Sequence, residues 1–118
     1  MIIGSVLENH EIEKRISITP DIVKKYLSLG FEILLSENYG RHIGINDDEY
    51  LKLGVKISKD NQEILNSSDI LVQLGMLTDN QSSILKENQI LIGVLNPYEN
   101  KDKLETLVNK KINLFSLD

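Results

Sequence analysis

The residues best able to do chemistry lie between Glu8 and Arg15, a stretch that follows the first apolar segment and carries five charged side chains. Arg15 directly precedes an inward turn of the chain at Ile16. A guanidinium at such a position can bind a carboxylate or phosphate through two parallel hydrogen bonds. The composition leaves a second interpretation open, a solvated surface cluster in which Arg15 pairs with Glu8, Glu11 or Glu13.

Common motifs for binding nucleotides and metals are missing from the sequence. No Gly-x-Gly-x-x-Gly follows a strand-like segment, so the fingerprint that places a pyrophosphate at a helix N-terminus is absent. There is no Gly-x-x-x-x-Gly-Lys phosphate loop, and Gly40 and Gly44 are expected only to reverse the chain. The histidines, His10 and His42, fall in separate predicted loops and cysteine is absent, so we expect no metal site.

The composition also argues against several kinds of partner. A net charge of −5 with scattered lysines speaks against DNA or RNA, because phosphate binding needs clustered Lys and Arg. The longest apolar run, residues 90–95, is far shorter than the about 20 residues of a membrane-spanning helix. The N-terminus lacks the positive region of a signal peptide and is expected to form a strand.

Short apolar runs alternate with amphipathic segments, which predicts βα units and a mainly parallel sheet. Strands are predicted over residues 2–7, 31–35, 55–57, 70–74, 90–94 and 112–115. The predicted helices include three with capping residues, Thr19, Asp47 and Asn100, and the last should turn Leu104, Leu107 and Val108 inward. The fold class is therefore α/β, one three-layer Rossmann- or flavodoxin-like domain over residues 1–118. Because the chain stops directly after an apolar strand, we expect this domain to be truncated.

Short motifs along the chain resemble the N-terminal domain of the alanine dehydrogenase/NAD(P) transhydrogenase family. They are Met1–Gly4, Glu13–Pro20, Leu29–Ile33, Asn38–Gly40, Asp47–Tyr50, Leu53–Val55, Ser68–Val72, Leu95–Pro97 with Asn100, and Asn113–Asp118. Each motif is weak alone, but the set is colinear and spans the chain. The resemblance implies that this is most of the first of two Rossmann-like domains, the second of which carries the NAD fingerprint.

The family contains two chemistries, which the sequence can distinguish. The resemblance implies that an alanine dehydrogenase would bind the substrate carboxylate with an arginine and move protons with a lysine and a histidine. Arg15 matches the arginine, whereas Gln73 and Asn96 stand where the lysine and histidine are expected. Neither amide exchanges a proton near neutral pH, so general acid–base catalysis lacks both agents. The same objection applies to a saccharopine dehydrogenase.

Transhydrogenation needs no proton carrier, because a hydride passes directly between two nicotinamides held in a dry cleft. The resemblance therefore favours the proton-translocating transhydrogenases and, within them, the NAD-binding α subunit. Arg15, Gln73 and Asn96 are then candidates to line the cleft, with no catalytic or cofactor-binding residue in this chain. An amino-acid dehydrogenase with displaced proton carriers and a stand-alone, non-catalytic interaction domain remain alternatives.

The resemblance further implies the setting of the full protein. NAD(H) would bind the full-length subunit and NADP(H) a partner component, with neither on this piece, which alone would be inactive. Partners would be the second, NAD-binding domain of the same subunit, the membrane and NADP-binding components, and a second copy in a homodimer. The location would be cytoplasmic, peripheral to the bacterial inner membrane.

Overall fold

A six-stranded parallel sheet organises the chain in the computed structural model, which describes residues 1–9, 11 and 13–117. The strands are β1 (Ile2–Ser5), β2 (Glu32–Ser36), β3 (Lys56–Ser58), β4 (Ile70–Gln73), β5 (Ile90–Gly93) and β6 (Asn113–Ser116). Neighbouring strands all run parallel, in the order β3-β2-β1-β4-β5-β6. This is the doubly wound Rossmann order, so the predicted fold class is confirmed.

Among the described residues, five α-helices connect the strands: α1 (Pro20–Ser28), α2 (Asp47–Leu53), α3 (Asn61–Ser67), α4 (Asp79–Ile84) and α5 (Lys101–Asn109). The first begins as predicted, with Thr19 Oγ1 accepting the Ile22 N–H at 3.4 Å and a proline in the first turn. The longest of these helices has nine residues. Within the described part of the chain, none is long and apolar enough to cross a membrane.

The predicted cap of α2 is wrong by one residue. Asn46 occupies the N-cap position, while Asp47 is the first helical residue. Asp47 is engaged elsewhere, because both of its carboxylate oxygens accept the backbone N–H of Asn38 at 3.0 Å. The predicted loop before this helix also contains a short 3-10 helix, Arg41–Ile43, which has no apolar periodicity to mark it in the sequence.

Two details of α5 also differ from the prediction. Asn100 stands at the N-cap, but its side chain makes no capping hydrogen bond, because its Nδ2 donates to the carbonyl of Leu95 at 2.7 Å. Val108 faces solvent, with 57% of the residue exposed, whereas Leu107 beside it is buried. A nine-residue helix on one face of a sheet buries only a narrow stripe, and Val108 falls outside it.

Two apolar clusters cover the two faces of the sheet and complete the three layers. One, which includes Ile64, Leu65 and Leu107, packs beneath α3 and α5. The other, which includes Val23, Tyr39 and Tyr50, packs beneath α1 and α2. Both clusters also contain strand residues, because successive side chains of a strand point to opposite faces. The central strands are therefore packed on both faces, and the loops at their carboxyl ends start from a rigid sheet.

Candidate functional site

A cleft opens at the carboxyl ends of β1 and β4, where the strand order reverses. The chain builds β1, β2 and β3 to one side and then returns to add β4 on the other, so the connections after β1 and β4 diverge. Open α/β sheets bind ligands at such a point. The cleft has a volume of about 360 Å³ and is lined by the loops after these two strands and by the start of α4.

A larger groove, of about 450 Å³, lies between α4 and α5. Its lining residues all belong to these two helices or cap them, and they are mostly charged residues and serines of the surface. Strand ends and converging loops do not contribute to it. The cleft at the reversal of strand order is therefore the better candidate site, although it is the smaller of the two.

Gln73 lies in the wall of the cleft, and its side-chain amide joins the ends of the two strands. Its Oε1 accepts the Val6 N–H at 2.8 Å and the Ser5 hydroxyl at 3.1 Å, and its Nε2 donates to the Val6 carbonyl at 3.1 Å. The residue is only 2% exposed. The backbone pairing of β1 with β4 ends before this point, so the amide extends it. Both polar atoms of Gln73 are therefore directed into the wall of the cleft.

Asn96 lies one strand further from the reversal point. It is an exposed residue in the turn after β5, with a φ of 50°. Its carbonyl accepts the N–H groups of Glu99 and Asn100, both at 3.1 Å. Asn96 is not part of the described lining of the cleft. The structure thus brings Gln73 to the cleft wall and leaves Asn96 outside it.

Arg15 forms a bidentate, fork-like ion pair with Glu13. Its Nε and Nη2 donate to the two carboxylate oxygens of Glu13, each at 3.0 Å, and the Arg15 side chain is 74% exposed. Glu13 lines the cleft, whereas Arg15 lies behind it, beside a narrow gap that it shares with Tyr39 and His42. The guanidinium that could have bound a ligand carboxylate is occupied by a carboxylate of the chain itself.

This fork has a measurable consequence. The side-chain hydrogen bond from Arg15 is the main cause that lowers the pKa of Glu13 from 4.5 to about 2. A carboxyl with a lowered pKa stabilises the fold above pH 4.5 and loses that contribution as pH falls through about 2. The contribution is small here, because the Arg15 side chain is exposed and solvent screens the pair. We expect Arg15→Met to raise the pKa of Glu13 toward 4.5 in an NMR titration of its carboxyl carbon.

The matched control for this titration is Lys59→Met, which removes a cation paired with Glu37 at 4.0 Å. It should leave the pKa of Glu13 unchanged. A pKa of Glu13 that stays near 2 in Arg15→Met would show that the fork is not what holds this carboxylate ionised.

Glu8 makes a contact that the sequence did not reveal. Its carboxylate crosses from the end of β1 to the loop after β4, where Oε2 accepts the Leu74 N–H at 2.9 Å and Oε1 accepts the Gly75 N–H at 2.6 Å. Partial burial raises the pKa of Glu8, while these two hydrogen bonds oppose the rise. The available signal was a carboxylate just after the first strand and a glycine just after the fourth.

Two buried tyrosines fix the loop after β1 against the sheet. Tyr39 Oη accepts the N–H groups of Ser17 at 3.2 Å and Ile18 at 3.3 Å, and lies 2.8 Å from Ser5 Oγ. Tyr50 donates to the Ile18 carbonyl at 2.7 Å. The two rings pack edge to face, with centroids 6.2 Å apart. Backbone groups of residues 17 and 18 thus have hydrogen-bond partners inside the core, which fixes the end of the loop against the sheet.

The loop after β1 lacks the features of a dinucleotide site. A bound pyrophosphate needs close backbone approach at a helix N-terminus, usually through glycines. The segment between β1 and α1 contains no glycine, and the cleft presents the carboxylates of Glu8 and Glu13, which repel phosphate. Among the described residues, no group of three His, Asp or Glu side chains could hold a metal ion. The cleft can offer a shaped, hydrogen-bonded wall, and its described lining has neither lysine nor histidine.

Comparisons with known proteins agree with this architecture. Residues 4–118 match the model of the family "Alanine dehydrogenase/PNT, N-terminal domain". The chain is 31% identical, over its full length, to the NAD(P) transhydrogenase subunit alpha of Haemophilus influenzae, of which it covers 23%. It is 26% identical to the alanine dehydrogenase of Methanococcus maripaludis, with 95% of this chain and 30% of that protein aligned.

The fold also matches that of a solved structure. The transhydrogenase structure from Sinorhizobium meliloti superposes with a TM-score of 0.90 at 22% identity, covering 98% of this chain and 34% of that one. The chain therefore spans between 23% and 34% of the length of these relatives. With a family model matched over nearly all of its residues, the chain belongs to the alanine dehydrogenase/PNT N-terminal domain family.

Proposed function

We propose that this chain is the N-terminal part of the α subunit of a proton-translocating NAD(P) transhydrogenase, which transfers hydride between NADH and NADP. The observation that carries the proposal is the similarity to an NAD(P) transhydrogenase subunit alpha over 100% of the chain. In this proposal residues 1–118 form one domain. A second domain of the same subunit, outside these residues, completes the cleft and binds NAD(H).

In this proposal the chain contributes one wall of the cleft to hydride transfer and supplies no reactive group. Hydride transfer between two nicotinamides needs exact placement and exclusion of water, and the step itself moves no proton from a substrate. Among the described lining residues of the cleft, Glu8 and Glu13 are the titratable ones, and both are engaged by groups of the chain. A wall of this kind supports positioning and does not supply general acid–base catalysis.

The remaining parts of the proposal concern the complete assembly. NADP(H) binds a partner component, and the α subunit is a homodimer that lies on the cytoplasmic side of the inner membrane, held there by the membrane component. Arg15 and Gln73 act on the shape of the cleft through their contacts with Glu13 and β1. Asn96 contributes at the rim, beyond the described lining.

The chain alone should not bind NADH. Isothermal titration calorimetry of residues 1–118 with NADH should give no heat of binding, because the described residues lack a cradle for pyrophosphate. The complete subunit, titrated in parallel, should bind. Micromolar affinity of the isolated chain would contradict the division of roles proposed here.

An amino-acid dehydrogenase is the second candidate, favoured by the similarity to an alanine dehydrogenase. That reaction must remove protons from an amine or a water molecule, and the described cleft offers no lysine or histidine for the task. We therefore expect the complete protein to show no NAD reduction with alanine in a spectrophotometric assay. Alanine-dependent turnover would support the dehydrogenase instead.

A further inference from the structure

We propose that Glu8 is a positioning residue: its carboxylate, by binding two successive backbone N–H groups, fixes the loop after β4 as the second wall of the cleft. The inference rests on the function proposed above, since the step that benefits from a fixed wall is hydride transfer. Glu8 itself takes no part in the chemistry.

The two hydrogen bonds that Glu8 accepts from the loop after β4 suit a carboxylate. Each oxygen of Glu8 accepts one N–H, from Leu74 at 2.9 Å and from Gly75 at 2.6 Å, across 66 and 67 residues of sequence. Charge-assisted hydrogen bonds of this type are stronger than neutral ones. A side-chain amide presents one oxygen and one NH2 group, so one of the two backbone N–H groups would face another donor instead of an acceptor.

The loop depends on this contact. Within the described part of the chain, the backbone N–H groups of residues 74–77 make no hydrogen bonds other than the two to Glu8. At its far end the loop is anchored by Leu77, which is buried in the core. Gly75 permits the close approach, because a Cβ at this position would lie 3.3 Å from Glu8 Oε1. Without the carboxylate, the segment between β4 and Leu77 would lose its backbone partners.

The pKa of Glu8 reflects its partial burial. Burial raises the pKa of Glu8 despite its two N–H partners. A carboxyl with a raised pKa favours the fold below its ordinary pKa of 4.5, and that advantage is lost as pH rises through the folded-state value. The ionised form is the one whose two oxygens can both accept N–H groups. What it provides is a fixed distance between two loops that face each other across the cleft.

Amide exchange and chemical rescue on residues 1–118 provide the structural test. In Glu8→Ala, the amide hydrogens of Leu74 and Gly75 should exchange about tenfold faster than in the unmodified chain, as expected for the loss of one charge-assisted hydrogen bond each. Formate has the same planar pair of oxygens and should restore their protection with a saturable dependence on its concentration. Chloride at equal ionic strength should not.

The controls separate this effect from general unfolding. Glu11→Ala removes an exposed glutamate from the same loop and should leave both amides protected, with or without formate. Glu8→Gln keeps the size of the side chain, so it tests the two hydrogen bonds of the carboxylate even if Glu8→Ala folds poorly. Unchanged exchange of the two amides in both Glu8 variants, or a failure of formate to restore them in a folded Glu8→Ala, would overturn the proposal.

Kinetics of the complete transhydrogenase provide the functional test. Glu8→Gln should lower kcat about tenfold with little change in KM for NADH, because the wall is misplaced while the cofactor site lies elsewhere. Glu11→Gln should have no effect. A normal kcat in Glu8→Gln would show that Glu8 only stabilises the fold, and this would refute its positioning role. If the unmodified assembly shows no transhydrogenation, the proposed function fails, while the exchange experiment still decides whether Glu8 fixes the loop.

Discussion

Replacing Gly93 with alanine should destabilise the domain by about 3 kcal/mol or more, the upper end of what overpacking usually costs. Gly93 is the last residue of β5 and pairs with Gln73 of β4. A Cβ at this position would lie 2.2 Å from the Gln73 carbonyl oxygen and 3.1 Å from its carbon. The obstacle is backbone of the neighbouring strand, so it cannot rotate away as a side chain could. The two strands would have to separate at their carboxyl ends, beneath the cleft.

Urea denaturation followed by circular dichroism measures this effect. With a total stability of about 5–15 kcal/mol expected for a domain of this kind, a loss of this size shifts the midpoint strongly. Val94→Ala, at the next and more exposed position, is the matched control and should cost less than about 1 kcal/mol. An unfolding midpoint of Gly93→Ala equal to that of the control would mean that β4 and β5 are not packed as described.

Replacing Gln73 with leucine should cost about 3 kcal/mol, because it leaves buried polar groups without partners. The Val6 N–H loses its acceptor and the Val6 carbonyl loses its donor, both of which the Gln73 amide provides. Ser5 keeps its hydrogen bond to the Val72 carbonyl at 2.6 Å. Leucine is close to glutamine in size, so the loss reports on hydrogen bonding rather than on a cavity. Gln62→Leu, at an exposed position of α3, should change the free energy of unfolding by less than about 0.5 kcal/mol.

Gln73→Glu adds a pH signature to the same measurement. Burial raises the pKa of a carboxyl, so the protonated acid is favoured in the folded state. The variant should therefore gain stability relative to the unmodified chain as pH falls toward the ordinary glutamate range, and lose it again as pH rises. Equal stability of Gln73→Leu and the unmodified chain, together with a flat pH response in Gln73→Glu, would show that the amide does not bridge β1 and β4.

The elements of the fold were predictable because they are local. Apolar runs bounded by caps, such as Thr19 with Pro20, mark strands and helices within a few residues. The pairing of Arg15 with Glu13 was among the alternatives for the same reason, since the two lie two residues apart. The prediction that Asp47 caps α2 was wrong because its carboxylate accepts the backbone N–H of Asn38, nine residues earlier. Capping preferences do not describe such a contact.

The candidate site was less predictable because its contacts cross the sheet. Glu8 reaches the loop after β4 only because β1 and β4 are neighbours, and the sequence predicts parallel strands without giving their order. Likewise, Gln73 and Asn96 are equivalent in the sequence, as polar residues at the ends of predicted strands. The order of the sheet separates them, since β4 borders the reversal point and β5 does not.

Isotope tracing on the complete assembly tests the central proposal most directly: this domain walls a cleft for hydride transfer and carries no proton chemistry. NADH deuterated at the transferred position is mixed with NADP, and the NADPH product is analysed by mass spectrometry. The proposal predicts that the product NADPH carries the deuterium, with none lost to solvent. Unlabelled NADPH, or deuterium released into water, would contradict it.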